Sequence, residues 1–255
     1  MKLANKIALV TGGSRGIGRA IVERLALEGA LVVVHYGSNE RAAEATVKAV
    51  EAAGGAAFIQ QADMGSPASI ESMFDAIDAE LVRRRGEPRF DILVNNAGVS
   101  PRATIEETDE AVFDEIFSVN VKGLFFTIRQ ALPRLRDGGR IINLSSMSAR
   151  RARPQLPAYS ASKAAVDALT ASLAKLLGPR GITVNGIAPG AIQTESTSAL
   201  IDSGDPKWKA YYASRSIMGR IGQPEDIAGV AAFLASADSG WITGVTIMAS
   251  GGQEL

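Results

Sequence analysis

A short apolar run, Ile7-Ala8-Leu9-Val10, passes without a break into Thr11-Gly12-Gly13-Ser14-Arg15-Gly16-Ile17-Gly18. No other stretch restricts the fold so tightly. Four apolar residues without alternation suit a strand buried on both faces. Behind the glycines, Ile17, Ile21 and Leu25 repeat at spacing four, giving a helix with one buried stripe that Gly29 ends. Strand, glycine-rich turn and helix form the first half of a dinucleotide-binding unit, whose backbone amides approach a pyrophosphate at the helix's positive end. A lone glycine-rich run signals little, but this one has the demanded strand and helix on either side.

Leu31-Val32-Val33-Val34 reads as a second strand, ending in His35-Tyr36-Gly37-Ser38. A site for NAD places an acidic residue near this point, about 20 residues beyond the glycines, to accept from the ribose 2′-hydroxyl. None stands there, and the nearest, Glu40, already enters the next helix. Arg15, Ser38 and Arg41 suit a 2′-phosphate instead, arginine offering a planar fork of donors. NADPH is therefore expected over NADH. His35 has no partner legible in the sequence and reads as structural.

The pattern repeats along the chain. A helix over residues 41–53 leads to a strand at 56–60 and then Ala62-Asp63-Met64. Ser66 and Pro67 open a helix as N-cap and first position, with a buried stripe from Ile70 to Leu81. Arg83-Arg84-Arg85 is its solvated end. A strand at 91–94 delivers Asn95-Asn96-Ala97-Gly98, small and amide residues that let a nucleotide lie close. The next helix begins at Thr108 and carries Val112, Ile116, Val119 and Leu124 on one face, running through Asn120. A buried mid-helix asparagine must find partners, which makes Asn120 a site residue or a backbone clamp. A strand at 140–144 ends in Ser145-Ser146, and one at 182–187 leads to Pro189-Gly190. Between 191 and 219 periodicity is lost, as in a lid or binding element, and Trp208, Tyr211 and Tyr212 stand within it. A helix restarts at Pro224, and 241–248 is a last strand. Seven strand-like runs alternating with helices, without linker or repeat, predict one domain over 1–255. The expected fold is α/β, a doubly wound, mostly parallel sheet in three layers.

Composition removes whole classes of chemistry. There is no cysteine, hence no disulfide, thiolate metal site or cysteine nucleophile, and one histidine argues against a Ser-His-Asp triad or a histidine metal site. Lys+Arg and Asp+Glu balance at 27 each, so no global field draws the chain to nucleic acid or anionic membrane. Residues 1–5 lack the apolar core of a signal peptide and no apolar run reaches transmembrane length, so a cytoplasmic enzyme is expected.

Tyr159 and Lys163 stand four apart at the start of a long apolar-periodic segment and so share a helix face. A free phenol, with a pKa of about 10, is a poor proton donor and acceptor near neutrality. A neighbouring ammonium favours the phenolate, which makes the tyrosine a candidate acid for reducing a carbonyl or base for oxidising an alcohol.

Taken together, these motifs closely resemble the short-chain dehydrogenase/reductase family in its compact single-domain form, similar to the 3-oxoacyl-[acyl-carrier-protein] reductases. The similarity spans almost the whole chain and rests on Thr11–Gly18, Asn95–Gly98, Asn120, Ser146, Tyr159/Lys163, and Pro189-Gly190 with Thr194. The resemblance implies that Asn120, Ser146, Tyr159 and Lys163 form the catalytic set, Ser146 being chosen over Ser145 because it lies thirteen before Tyr159. It implies cofactor contacts from Gly12, Ser14, Arg15, Gly16, Ile17, Gly18, Tyr36 and Ser38. Asp63 would hold the adenine ring, Asn96 and Lys163 would contact the nicotinamide ribose, and Ile192 and Thr194 would hold the carboxamide. Met64, Ala97, Gly98, Tyr159, Pro189 and Gly190 would be further cofactor contacts. It further implies a homotetramer, or else a homodimer, with the helices from Thr108 and Tyr159 pairing across a two-fold axis.

Two departures stand out. Ala249-Ser250-Gly251-Gly252 replaces the aspartate the family often shows before two glycines. Arg150, Arg151 and Arg153 follow the presumed catalytic serine, reading as a solvated or interface turn or, alternatively, a dock for an acidic substrate or carrier protein. The open functions are a reductase of 3-oxoacyl thioesters, small ketones, sugars or biosynthetic ketones, an NAD-linked dehydrogenase, and a non-catalytic dinucleotide sensor on the same fold.

Overall fold

The computed structural model describes residues 1–151, 153–195, 197 and 206–253. Seven strands, β1 (Ile7–Val10), β2 (Leu31–Tyr36), β3 (Ala56–Gln61), β4 (Phe90–Asn95), β5 (Leu135–Leu144), β6 (Thr183–Pro189) and β7 (Thr246–Ala249), form one parallel sheet. Their order is β3-β2-β1-β4-β5-β6-β7. The unbroken apolar runs arise because successive residues feed opposite cores. Ala8 and Val10 join the cluster that includes Ile21 and Ile227, while Ile7 and Leu9 join that of Phe74 and Val166.

Helices α1 (Gly16–Leu27), α2 (Glu40–Ala52) and α8 (Pro224–Ala235) cover the first face. On the second lie α3 (Pro67–Arg85), α5 (Leu124–Ala131) and α6 (Pro157–Leu177). Strand order reverses at β1, which pairs with β2 on one side and β4 on the other. The crevice beyond the carboxyl ends of β1 and β4 is where ligands bind in such sheets. Ser66 caps α3 as expected, its hydroxyl accepting from Ser69 N–H, and Gly86 ends that helix in the left-handed conformation.

Three expectations are corrected. The helix expected to run unbroken from Thr108 is instead α4 (Glu110–Phe117), capped by Asp109, then a π-helical turn over Ser118–Gly123, then α5. The wide turn faces Asn120 inward and brings Gly123 against the β3–α3 loop, where a Cβ would stand 2.2 Å from the Met64 carbonyl oxygen. The last strand begins at Thr246 and not at 241, and Trp241 is fully exposed. Before it, the chain is held to β6 by side chains: Asn185 Nδ2 donates to the Ile242 carbonyl, and Val184 N–H donates to Thr243 Oγ1. Within 191–219 lies a helix, α7 (Pro206–Ser214), where loss of periodicity predicted none. Residues 196 and 198–205 of that lid, and the side chain of Trp208, lie outside the described residues. Among the described residues no helix is long and apolar enough to cross a membrane.

Gly123→Ala is expected to destabilise the protein by about 1–3 kcal/mol through overpacking, read as a fall of several degrees in Tm. An unchanged Tm would show that the π turn does not depend on this close approach.

Candidate active site

The glycine loop is knitted to β4 by side chains on both sides. Thr11 Oγ1 accepts from the Asn96 and Ala97 N–H groups, each at 3.0 Å. Asn96 Nδ2 donates to the carbonyls of Thr11 (3.0 Å) and Gly12 (2.9 Å). Gly12 has φ +63, and a Cβ there would stand 3.0 Å from Ala97 Cα; one on Gly18 would stand 2.0 Å from the Gly12 carbonyl oxygen. Only bare backbone fits, which leaves an open cradle at the start of α1. No side chain caps that helix, so its first N–H groups are not taken by a capping residue. This is the surface a pyrophosphate requires, and the residues fit a dinucleotide.

On the β3 side, Asp63 is exposed, and its Oδ1 accepts from Gly65 N–H at 2.8 Å. Met64 is buried, and Thr127 Oγ1 donates to its Sδ at 3.8 Å. At the end of β2, Tyr36 is buried with its hydroxyl donating to Glu40 at 3.1 Å, while Ser38, Arg41 and Arg15 are exposed. The amide hydrogens of Asn96 are engaged by the glycine loop, so its side chain braces the cradle.

The presumed catalytic residues converge at the carboxyl ends of β4 and β5. The Ser146 hydroxyl stands by the Tyr159 phenol and favours its ionised form. The neighbouring Ser145 is buried and turned toward α6, its Oγ donating to the Lys163 carbonyl at 3.5 Å. Lys163 is buried, its Nζ donates to the Leu144 carbonyl at 2.7 Å, and it lies 5.8 Å from the Tyr159 ring centroid. A Cβ on Gly98 would stand 3.1 Å from Asn120 Oδ1 and 3.5 Å from Lys163 Nζ, so these three residues share one corner.

Asn120 is a backbone clamp. Its Oδ1 accepts from Val99 N–H at 2.9 Å, and its Nδ2 donates to the Val99 carbonyl at 2.9 Å and to Ser162 Oγ at 3.1 Å. Ser162 Oγ in turn donates to the Tyr159 carbonyl at 2.7 Å, tying the clamp to the first turns of α6. Both amide hydrogens are thus engaged.

Burial lowers the Lys163 ammonium to about 8 from its ordinary value near 10.5, with the charge of Asp167 opposing. The direction expected for Tyr159 is not the one found. Burial pushes its phenol up, and the opposing pull comes from the Ser146 hydrogen bond.

The loop after β6 closes over the cradle. A Cβ on Gly16 would meet Thr194 Cγ2 at 3.3 Å, and Ile192 is buried, its carbonyl accepting from Thr197 Oγ1 at 2.8 Å. Pro189 ends β6, and Gly190 N–H donates to the Ala249 carbonyl at 3.1 Å. The unusual C-terminal turn finds its use here, since Gln253 is buried with its Oε1 accepting from Ala191 N–H at 3.0 Å. Arg150 donates from Nε to Asp167 Oδ2 at 3.4 Å, while Asp167 Oδ1 accepts from Thr246 on β7 at 2.8 Å. Arg150 therefore ties the turn after β5 to α6, whose Asp167 also holds β7; residue 152 of its run lies outside the described residues.

A family model described as enoyl-(acyl carrier protein) reductase matches residues 12–254. The chain belongs to the short-chain dehydrogenase/reductase family. A 3-oxoacyl-[acyl-carrier-protein] reductase of Staphylococcus aureus is 40% identical over 98% of both chains. Two solved structures superpose closely. One is the promiscuous reductase LugOII, which catalyses keto-reduction at C1 during lugdunomycin biosynthesis, with TM-score 0.96, 44% identity and full coverage of both chains. The other is the angucycline C-6 ketoreductase LanV with bound NADP, with TM-score 0.94, 43% identity and coverage of 98% of this chain and 96% of that one. The protein is thus an oxidoreductase of the short-chain type, a family that uses a nicotinamide cofactor. Sequence reasoning passed over Ser162 and Gln253 and gave Thr11 no role of its own. Only Thr11 carried a signal, as a β-branched hydroxyl between the strand and the first glycine.

Proposed function

We propose that the protein is an NADPH-dependent ketoreductase that converts a ketone to a secondary alcohol, with Tyr159 as the general acid. The observation that carries the reading is the buried Lys163 ammonium, 5.8 Å from the Tyr159 ring centroid, with the Ser146 hydroxyl favouring the ionised phenol. A carbonyl oxygen placed between the two hydroxyls would accept from both. The nicotinamide supplies the hydride when bound. Ser146 Oγ–H stabilises the charge that develops on the substrate oxygen, and Tyr159 Oη–H delivers the proton. Lys163 favours the phenolate left behind, and Asn120 fixes the Val99 backbone and α6 so that the donors stay aligned.

The preference for NADPH rests on the absence of an acidic residue directly after β2 and on the exposed Arg15 and Arg41. The NADP bound to LanV supports it. For the substrate, the two ketoreductase relatives favour a biosynthetic ketone of the angucycline kind, with 3-oxoacyl thioesters next. A homotetramer is also proposed. Phe113 and Phe125 are exposed, and a groove of about 670 Å³ runs between α4, α5 and α6 and is lined by Phe117, Phe126 and Leu169. Light scattering should give the mass of four chains; a monomer would remove this assignment.

The test of function is loss of NADPH absorbance with angucycline-type ketones, 3-oxoacyl thioesters and small ketones. Tyr159→Phe should abolish turnover while NADPH still binds, NADH should serve poorly, and Arg15→Ala should narrow the difference. Lys163 carries its charge below about 8 and loses it above. Reduction should therefore decline as pH rises through 8. Most of the rate surviving in Tyr159→Phe would sink the proposal, and tight NADPH binding without turnover on any class would favour the sensor reading.

A further inference from the structure

His35, the single histidine of the chain, takes no part in that chemistry, yet it is buried at the end of β2 between β1 and β3. Gly12 N–H donates to its Nδ1 at 2.9 Å. With Nδ1 an acceptor, Nε2 carries the hydrogen and donates to the Ala62 carbonyl at 3.1 Å. The next amide of the glycine loop, Gly13 N–H, donates to the His35 carbonyl at 2.8 Å. Gly12 is therefore gripped at both ends, its N–H by His35 and its carbonyl by Asn96 at 2.9 Å. Ala62 immediately precedes Asp63, so one ring spans the phosphate-binding loop and the loop on the adenine side.

We propose that His35 is a positioning residue of the cofactor site, whose neutral Nε2–H imidazole fixes the spacing between the glycine loop and the Asp63 loop and thereby sets dinucleotide affinity. Only the neutral ring with this tautomer can do so. A protonated ring presents N–H to the Gly12 N–H, two donors facing each other. Burial lowers the ring's pKa to about 4, against an upward pull from the Ala62 carbonyl, and no charged side chain contributes among the described residues. The titratable neighbours along the chain, Tyr36 and Asp63, are bonded to Glu40 and Gly65 N–H respectively. The inference rests on the dinucleotide reading of the cradle, but not on Tyr159.

Because the chain has one histidine, nitrogen-detected NMR of its imidazole reports this site alone. The wild-type protein should show the Nε2–H tautomer near neutrality. Its titration midpoint should lie well below 6.5 and fall further when NADP⁺ is added, since a ligand that prefers the neutral form must disfavour protonation. NADPH dissociation constants measured by protein fluorescence provide the second arm. His35→Leu, which loses both bonds, should weaken binding about tenfold or more. His35→Asn, whose Oδ1 can stand in for Nδ1, should weaken it less, and substrate KM at saturating NADPH should be unchanged. An Nδ1–H tautomer, or a midpoint indifferent to NADP⁺, would overturn the proposal. Unchanged NADPH affinity in folded variants would reduce His35 to core packing. Failure of the wild-type protein to bind NADPH at all would instead take down the cradle reading itself.

Discussion

The peptide unit of Gly12 is the constraint on which the rest of the site depends. A parallel sheet ends with several strands delivering their backbone polar groups to one edge, where no further ladder can satisfy them. Here the strand ends are satisfied by side chains. Thr11 takes two N–H groups of the β4 loop, Asn96 returns two donors to the glycine loop, and His35 takes the remaining Gly12 N–H. The loop is thereby held open without a side chain of its own in the way. The bare backbone at Gly18, pressed against the Gly12 carbonyl, completes the cradle.

A second set of polar contacts holds the chemistry in place. Helix α6, which carries Tyr159 and Lys163, is pinned to the sheet by a buried chain in which Asn95 Nδ2 donates to Asn143 Oδ1 and Asn143 Nδ2 donates to Thr170 Oγ1. It is pinned to the π turn by Asn120 and Ser162, and to β5 by Lys163 on the Leu144 carbonyl. Burying an ammonium is costly, and a lowered pKa is the visible sign of that cost. Perturbed groups of this kind cluster at functional sites, because the positions that chemistry needs are not those that stability would choose.

Much of this was legible in the sequence, for definite reasons. Strands buried on both faces are continuous apolar runs, as Leu31–Val34 shows, and turn glycines mark their ends, so the parallel sheet and most of its flanking helices could be read. That Asn120, Ser146, Tyr159 and Lys163 would come together was legible because they stand at strand ends or on helices that meet there. What escaped depends on long-range partners. The π turn lies against the Met64 carbonyl, far away in sequence, and the chain before β7 is held by contacts of Asn185 and Thr243. The partners of His35 and Gln253 lie on loops that only the folded sheet brings near. The upward shift of the Tyr159 phenol reflects burial, which the spacing of Tyr159 and Lys163 does not reveal.

The proposed reaction passes a hydride to a ketone carbon at the crevice beside Tyr159. The most direct measurement is the fate of deuterium from NADPH labelled at C4 on both faces, followed by mass spectrometry of the reduced product. One deuterium on the new carbinol carbon, with the hydroxyl proton from solvent, is the result expected. Product without deuterium, or labelled only from heavy water, would contradict direct transfer and with it the account of the site.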